Sequence, residues 1–108
     1  MTNIQAALAI LADPTRRTLV DALRAGPLTV GELAQRVPVS RSAVSQHLQV
    51  LKTAQIVADE ADGTRRLYRL QPQTLGELRA YVDGLWGDAL GSFAAHADAA
   101  RKKKRGSA

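Results

Sequence analysis

The stretch SRSAVSQHLQVLKTA, residues 40–54, decides the fold. Ser40 is a favourable N-cap residue, and Val44, Leu48 and Leu51 recur at the spacing of one helix face. We therefore predict a helix that begins after Ser40, spans this stretch and directs an apolar face to the core. The polar residues between the apolar ones would lie on the opposite face, in contact with solvent.

Three shorter helices are predicted before this stretch. Apolar residues at helical spacing indicate the first over residues 4–11. Asp13 and the proline after it are a favourable start for the second, which ends at Gly26. Thr29 and Glu32 have the spacing of a capping box, in which the hydroxyl and the carboxylate each accept a hydrogen bond from a backbone N–H group. This box predicts a third helix of about two turns.

A hairpin and a long helix are predicted after residues 40–54. Asp62 and Gly63 form a dipeptide that favours the positive φ of a tight turn, so we expect a strand on each side of them. Alternation in the second strand directs Leu67 to the core and its neighbours to solvent. Thr74 and Glu77 predict a second capping box, which opens a last helix that is long and unusually apolar.

The composition fits one small folded domain. The chain has 108 residues, 45% of them hydrophobic and 23% charged, which disfavours a second domain and wholesale disorder. The absence of cysteine excludes disulfides, thiolate metal sites and cysteine nucleophiles. The apolar runs are shorter than a membrane span needs, and the N-terminus lacks the basic residues of a signal peptide. We expect a soluble, cytoplasmic protein with no membrane partner.

The net charge of +5 comes from the end of the chain. Residues 101–105 are five consecutive cations, whereas residues 1–100 carry no net charge. Within those, residues 36–69 hold six basic and three acidic residues. We predict a domain over residues 1–98 with a basic middle that suits a polyanion. Residues 99–108 would be a disordered basic tail, either a nucleic-acid-binding arm or a solubilising segment.

The predicted order of elements is that of a winged helix-turn-helix, in which two helices joined by a turn are followed by a hairpin. Residues 11–70, and above all SAVSQHLQVL at residues 42–51, resemble the ArsR family of dimeric winged-helix transcriptional repressors. The chain departs from the family at Pro38 and Gln55, where glycine is common. The resemblance implies a mainly α fold with five helices and a small β-hairpin wing.

The first and last helices are more apolar than so small a monomer can cover. A second copy of the chain is the natural partner for such a surface, so we predict a homodimer formed through these two helices. The predicted dimer-interface residues are Ile4, Leu8, Leu11, Leu78, Val82, Leu85, Trp86 and Phe93.

The polar face of residues 40–54 suits double-stranded DNA. Arg41 and Gln46 are the foremost candidates for base contacts, because Arg can bond guanine and Gln adenine through two hydrogen bonds. Cations of the helix end and the hairpin would contact phosphates. Each residue alone could equally belong to a solvated face, and His47 could equally be structural, but the whole pattern favours DNA. The predicted DNA-binding residues are Ser40, Arg41, Ser42, Ser45, Gln46, His47, Gln49, Lys52, Arg65 and Arg66.

Neither a metal, a cofactor nor catalysis is expected. Metal sensors of the ArsR family use a cysteine pair or Asp and His residues of the last helix, and this helix offers a single histidine, His96, with Asp83, Asp88 and Asp98. Serine and histidine occur close together within residues 42–47, without a third partner or a phosphate-binding loop. The sequence is compatible with a small-molecule or protein effector and does not identify one.

Three functions are compatible with these residues. The favoured one, implied by the resemblance, is a sequence-specific homodimeric repressor that occludes promoter DNA and could regulate its own gene. A protein-interaction module would instead use the winged helix and the long C-terminal helix without specific DNA binding. A nonspecific nucleic-acid binder would depend on residues 101–105 and disregard sequence.

Overall fold

The computed structural model describes the backbone of residues 3–106 and the side chains of residues 3–97. It divides into two compact units, Met1–Glu77 and Leu78–Ala108. The described part confirms the predicted fold class of five α-helices with a β-hairpin wing. The elements in chain order are α1 (Ile4–Leu11), α2 (Pro14–Ala22), a 3₁₀ turn (Leu23–Ala25), β1 (Leu28–Thr29), α3 (Val30–Ala34), α4 (Arg41–Thr53), β2 (Val57–Asp62), β3 (Arg65–Leu70) and α5 (Pro72–Gly106).

The helix starts of the first unit follow the predicted capping chemistry. Asp13 and Ser40 cap α2 and α4, each accepting a hydrogen bond from the backbone N–H three residues on, at 2.9 and 3.1 Å. The capping box of α3 is complete: Thr29 Oγ1 accepts from Glu32 N–H, and the Glu32 carboxylate accepts from Thr29 N–H. These bonds satisfy N–H groups that the helix leaves without partners and so fix where α2, α3 and α4 begin.

The core of the first unit lies where α4 meets the preceding helices and the sheet. Helices α3 and α4 pack together as the helix-turn-helix, and α4 also contacts α2 and β2. The predicted inward residues of α4 are fully buried. The largest side chains of this core are Leu19, Leu33, Val44, Leu48, Leu51, Ile56 and Val57.

The sheet has three antiparallel strands in the order β1-β3-β2, one more than the predicted hairpin. Strand β1 has two residues and pairs with the middle of β3, Leu28 opposite Tyr68. The hairpin of β2 and β3, residues 57–70, is the wing. Its loop follows Asp62, which is still in β2, and Gly63 has a φ of +63°. Positive φ at the first loop position is the requirement of a type II′ turn and is most easily met by glycine.

Helix α5 begins at Pro72, so the predicted capping box of Thr74 and Glu77 is wrong. The N–H of Leu75 donates to the carbonyl of Gln71 at 3.2 Å, which makes Gln71 the cap and proline the first helical residue. Thr74 is therefore inside the first turn, where it is buried.

The backbone of α5 continues to Gly106 and so includes most of the predicted basic tail, whose boundary at residue 98 stays a prediction. The side chains of Asp98 and of residues 101–105 lie outside the described ones. Among the described residues, no helix combines the length and the apolar character that crossing a membrane requires.

Candidate nucleic-acid interface

One side of α4 presents polar side chains to solvent. We call it the α4 polar face; its residues are Arg41, Ser42, Ser45, Gln46 and Gln49, all exposed as predicted. The opposite side is held rigidly, because Val44, Leu48 and Leu51 have no exposed surface. The helix therefore offers hydrogen-bonding groups on an anchored support, as recognition of base edges requires.

The two foremost base-contact candidates differ in surroundings. A Cβ placed on Gly31 would lie 3.9 Å from the Arg41 guanidinium, so the Arg41 side chain lies over the start of α3. In the described part of the chain, neither Arg41 nor Gln46 takes part in a side-chain hydrogen bond or an ion pair. Ser40 is partly engaged, since its Oγ accepts the cap hydrogen bond, but its hydroxyl proton remains a donor. Gln49 donates a long bond of 3.5 Å to Thr53.

The predicted phosphate contacts Lys52 and Arg66 share one carboxylate. Lys52 Nζ lies 2.8 Å from Asp59 Oδ1, and an Arg66 guanidinium nitrogen lies 2.8 Å from Asp59 Oδ2. The Asp59 side chain is only 6% exposed, whereas the two cations are about half exposed. The hydrogen bond from Lys52, followed by that from Arg66, keeps the pKa of Asp59 below its ordinary value in spite of burial.

Asp59 was not among the predicted residues, although the hairpin register carries the signal that could have found it. Asp59 is directly opposite Tyr68, which makes Arg66 its diagonal neighbour across the strands. The carboxylate joins the end of α4 to both strands of the wing, and one positive charge remains on this three-residue group. Its cations are thus held in place at the C-terminal end of α4.

The remaining wing cation, Arg65, is paired at the surface. Its guanidinium lies 2.7 Å from Asp62, and the side chains are 62% and 48% exposed. Such an exposed pair contributes little to stability and separates readily, so Arg65 stays available to a phosphate.

His47 is half-buried on the flank of α4 and is bonded to α2. Its Nδ1 accepts a hydrogen bond of 3.2 Å from Arg16 Nε. Arg16 was not predicted as a functional residue, because 31 positions separate it from His47 and no local pattern links them.

The predicted dimer residues divide by exposure. Leu8 of α1 is 38% exposed, while Ile4 and Leu11 are half-buried. In the second unit, Leu78 is buried, but the exposed fractions of Val82, Leu85, Trp86 and Phe93 run from 52% to 73%, and Tyr81 and Leu90 are exposed beside them. Side chains of this size at the surface form an unpartnered apolar stripe within the described part of α5.

The described side chains bring no three histidine or acidic residues together as a metal site would need. Asp83, Asp88 and His96 are among these described side chains, whereas Asp98 is not.

The fold and the α4 polar face define the class of a winged helix-turn-helix, DNA-binding transcriptional regulator. Residues 13–59 match the model of the bacterial regulatory proteins of the arsR family. The chain is 57% identical over 84 residues to the HTH-type transcriptional regulator Rv2034 of Mycobacterium tuberculosis, with 78% of each chain covered. It is 35% identical over 65 residues to the transcriptional repressor SdpR of Bacillus subtilis, covering 60% of this chain and 72% of the relative.

A solved structure agrees with these relatives. The ArsR-like transcriptional regulator from Rhodococcus sp. RHA1 superposes with a TM-score of 0.73 at 26% identity, covering 85% of this chain and 87% of that one. The protein belongs to the ArsR family of bacterial transcriptional regulators. The relatives named here are regulators rather than enzymes.

Proposed function

We propose that the protein is a homodimeric repressor that recognises a specific DNA sequence and acts by covering promoter DNA. The relative SdpR is a transcriptional repressor, which supports repression as the direction of regulation. The promoter of its own gene is the first candidate target, as the family resemblance implies.

The observation that carries the proposal is the α4 polar face. Base recognition needs exposed donors and acceptors on a helix that fits the major groove, and Arg41 and Gln46 supply groups that match guanine and adenine edges. Each good bidentate pair contributes about 1–3 kcal/mol of discrimination against a wrong base. The neighbouring serines and Gln49 can bond to bases or to phosphates.

The cations around this face support a backbone contact. Lys52, Arg65 and Arg66 lie at the end of α4 and in the wing, and Asp59 holds two of them in place. Phosphate contacts of this kind fix the register of a protein on DNA without reading its sequence. Their contribution decreases as salt concentration rises.

Two copies of the chain would form the complete DNA-binding unit. The apolar stripe of α5 supplies a surface that a second copy can cover, and Leu8 is an exposed apolar side chain of α1, the other helix of the proposed interface. In such a dimer the two α4 helices would enter major grooves about one DNA turn apart, roughly 34 Å. Because both half-sites must be present, the operator is expected to be palindromic.

The test measures binding to a fragment of the protein's own promoter and to a scrambled duplex of equal length, at two salt concentrations. We expect a preference of roughly 10³-fold or more for the promoter. Gln46→Ala should reduce promoter affinity about tenfold or more and leave scrambled-duplex affinity unchanged. The matched control is Gln73→Ala, which removes the same exposed side chain from the first turn of α5.

Other results would favour the alternatives. Deletion of residues 101–105 should weaken binding to the promoter and to the scrambled duplex equally. A loss of all binding would instead indicate that the protein is a nonspecific binder. If the promoter is not preferred, selection from a random duplex library follows. A library that yields no preferred sequence would contradict the proposal and favour a protein-interaction module.

A further inference from the structure

The hydrogen bond between Arg16 and His47 determines where His47 carries its proton. A guanidinium Nε–H is always protonated and can only donate. His47 Nδ1, at 3.2 Å, must therefore offer a lone pair. In the neutral ring the proton is then on Nε2, so Arg16 selects one of the two imidazole tautomers.

Arg16 is itself held in place by the first turn of α2. Its backbone N–H donates to Asp13 Oδ2 at 2.9 Å, and this hydrogen bond is the main reason that the pKa of Asp13 lies below its ordinary value. The guanidinium thus extends from a capped, fixed helix start to a residue of α4. Asp13, Arg16 and His47 form a chain of contacts across two helices.

The second nitrogen of His47 has some surface in contact with solvent. Within the described residues, the Arg16 bond is the one hydrogen bond of the imidazole, and no buried side-chain nitrogen or oxygen lacks a partner. Since Nε2 has no protein partner, it must have solvent-accessible surface. At about 100° per residue, His47 lies about 100° around α4 from Gln46 and about 60° from the fully buried Val44, so this donor lies next to the buried side of α4, beyond the Gln46 edge of the α4 polar face.

We propose that Arg16 is a positioning residue for DNA binding: it holds His47 as the Nε2–H tautomer and keeps this N–H ready to donate to a DNA phosphate. The tautomer matters because a phosphate oxygen only accepts hydrogen bonds, so the Nδ1–H form would present a lone pair to it. The inference rests on the proposed function and adds to it a residue of α2.

The first measurement needs no DNA. Nitrogen-15 spectra of the full-length protein, at a pH where imidazole is neutral, distinguish a protonated from an unprotonated ring nitrogen. Comparison with His96→Gln, which removes the other histidine of the chain, assigns the signals. We expect Nδ1 of His47 to be unprotonated in the unmodified protein and the two tautomers to mix in Arg16→Leu.

The second measurement is a double-mutant cycle on affinity for the preferred duplex. A hydrogen bond to a charged acceptor corresponds to about tenfold in affinity, so His47→Ala should weaken binding about tenfold. Arg16→Leu should weaken it less, by roughly two- to threefold, because part of the population keeps the Nε2–H tautomer. Because Arg16 acts through His47, adding Arg16→Leu to His47→Ala should have little further effect. Arg17→Leu, at the exposed neighbouring position, controls for loss of one positive charge from the same helix start, and thermal unfolding checks that each variant is folded.

Several results would overturn the inference. An unchanged tautomer in Arg16→Leu would show that Arg16 does not select it. Additive losses, or equal losses in Arg16→Leu and Arg17→Leu, would show a charge effect that does not pass through His47. If the unmodified protein prefers no duplex, the proposed function and the phosphate contact both fail, while the spectra still report separately on the tautomer.

Discussion

Lys52 Nζ lies 2.8 Å from Asp59 Oδ1, and this ion pair joins the last turn of α4 to the first strand of the wing. The second oxygen of the same carboxylate accepts from Arg66 of β3. A carboxylate that is nearly buried and bonded to two cations is expensive to leave unpaired, so the three side chains hold α4 and the wing in one arrangement.

Asp59→Asn should destabilise the protein while keeping its shape. The amide is nearly isosteric but has no charge, so both ion pairs become weaker hydrogen bonds or are lost. Because the cations are half exposed, we expect a loss of about 1–2 kcal/mol in the free energy of unfolding, between the values for exposed and buried pairs. Urea unfolding monitored by circular dichroism gives this value.

The matched control is Asp62→Asn, which removes the exposed pair with Arg65. It should cost no more than about 0.5 kcal/mol. Equal losses in the two variants would show that burial of Asp59 does not strengthen its ion pairs.

The stabilisation by Asp59 should depend on pH in a direction set by its lowered pKa. A carboxyl whose pKa is lower in the folded state stabilises the protein fully above its unfolded pKa, ordinarily 3.8, and loses this contribution as pH falls through the folded value. The difference in the free energy of unfolding between the unmodified protein and Asp59→Asn should therefore be constant near neutral pH. It should become smaller as the pH falls below about 4. Urea unfolding of both proteins from about pH 7 to about pH 3 tests this, and a difference that does not decrease towards the acid end would contradict it.

Elements with a strong local signal could be predicted from sequence. The inward residues of α4 and the caps at Asp13, Thr29 and Ser40 follow from helix period and capping chemistry, which depend on residues within one turn of each other. The exposure of the α4 polar face then follows because it is the opposite side of the same helix.

Features that depend on tertiary structure could not be predicted from the sequence. Strand β1 has two residues, too few for an alternating pattern, and exists because it pairs with β3. At the start of α5 two valid signals compete, and Pro72 takes precedence over Thr74. The Arg16–His47 and Lys52–Asp59 contacts need the packing of α2 on α4 and of α4 on β2, which sequence spacing does not provide.

Gln55→Gly should stabilise the protein. Gln55 has a φ of +63°, where glycine avoids the steric cost that other residues incur. The position ends α4: Gln55 N–H donates to the Lys52 carbonyl and Ile56 N–H to the Leu51 carbonyl, both at 2.9 Å, a Schellman motif that favours glycine.

The proper reference for this variant is Gln55→Ala, which removes the side chain and its interactions but keeps a Cβ at positive φ. We expect Gln55→Gly to exceed Gln55→Ala by about 1 kcal/mol in the free energy of unfolding measured with urea. If alanine is as stable as glycine here, the backbone of residue 55 is not strained.

Trp86→Glu should convert a dimer to monomers. Trp86 is 67% exposed in the single chain and lies in the apolar stripe of α5, where a second copy would cover it. A carboxylate in that position would have to be buried without a partner on each side of the symmetric interface. Sedimentation velocity should show a dissociation constant raised roughly a hundredfold or more.

Ala80→Glu provides the control for this dissociation, because Ala80 is exposed and, at about 100° per residue, lies about 120° around the same helix from Trp86, outside the apolar stripe. It adds the same charge to α5 and should leave the dimer intact. If Trp86→Glu stays dimeric, α5 does not form the interface through this stripe. If both variants dissociate, added charge alone is sufficient and the stripe has no special role. Loss of specific DNA binding in Trp86→Glu only, with the α4 polar face unaltered, would show that recognition requires two copies of α4.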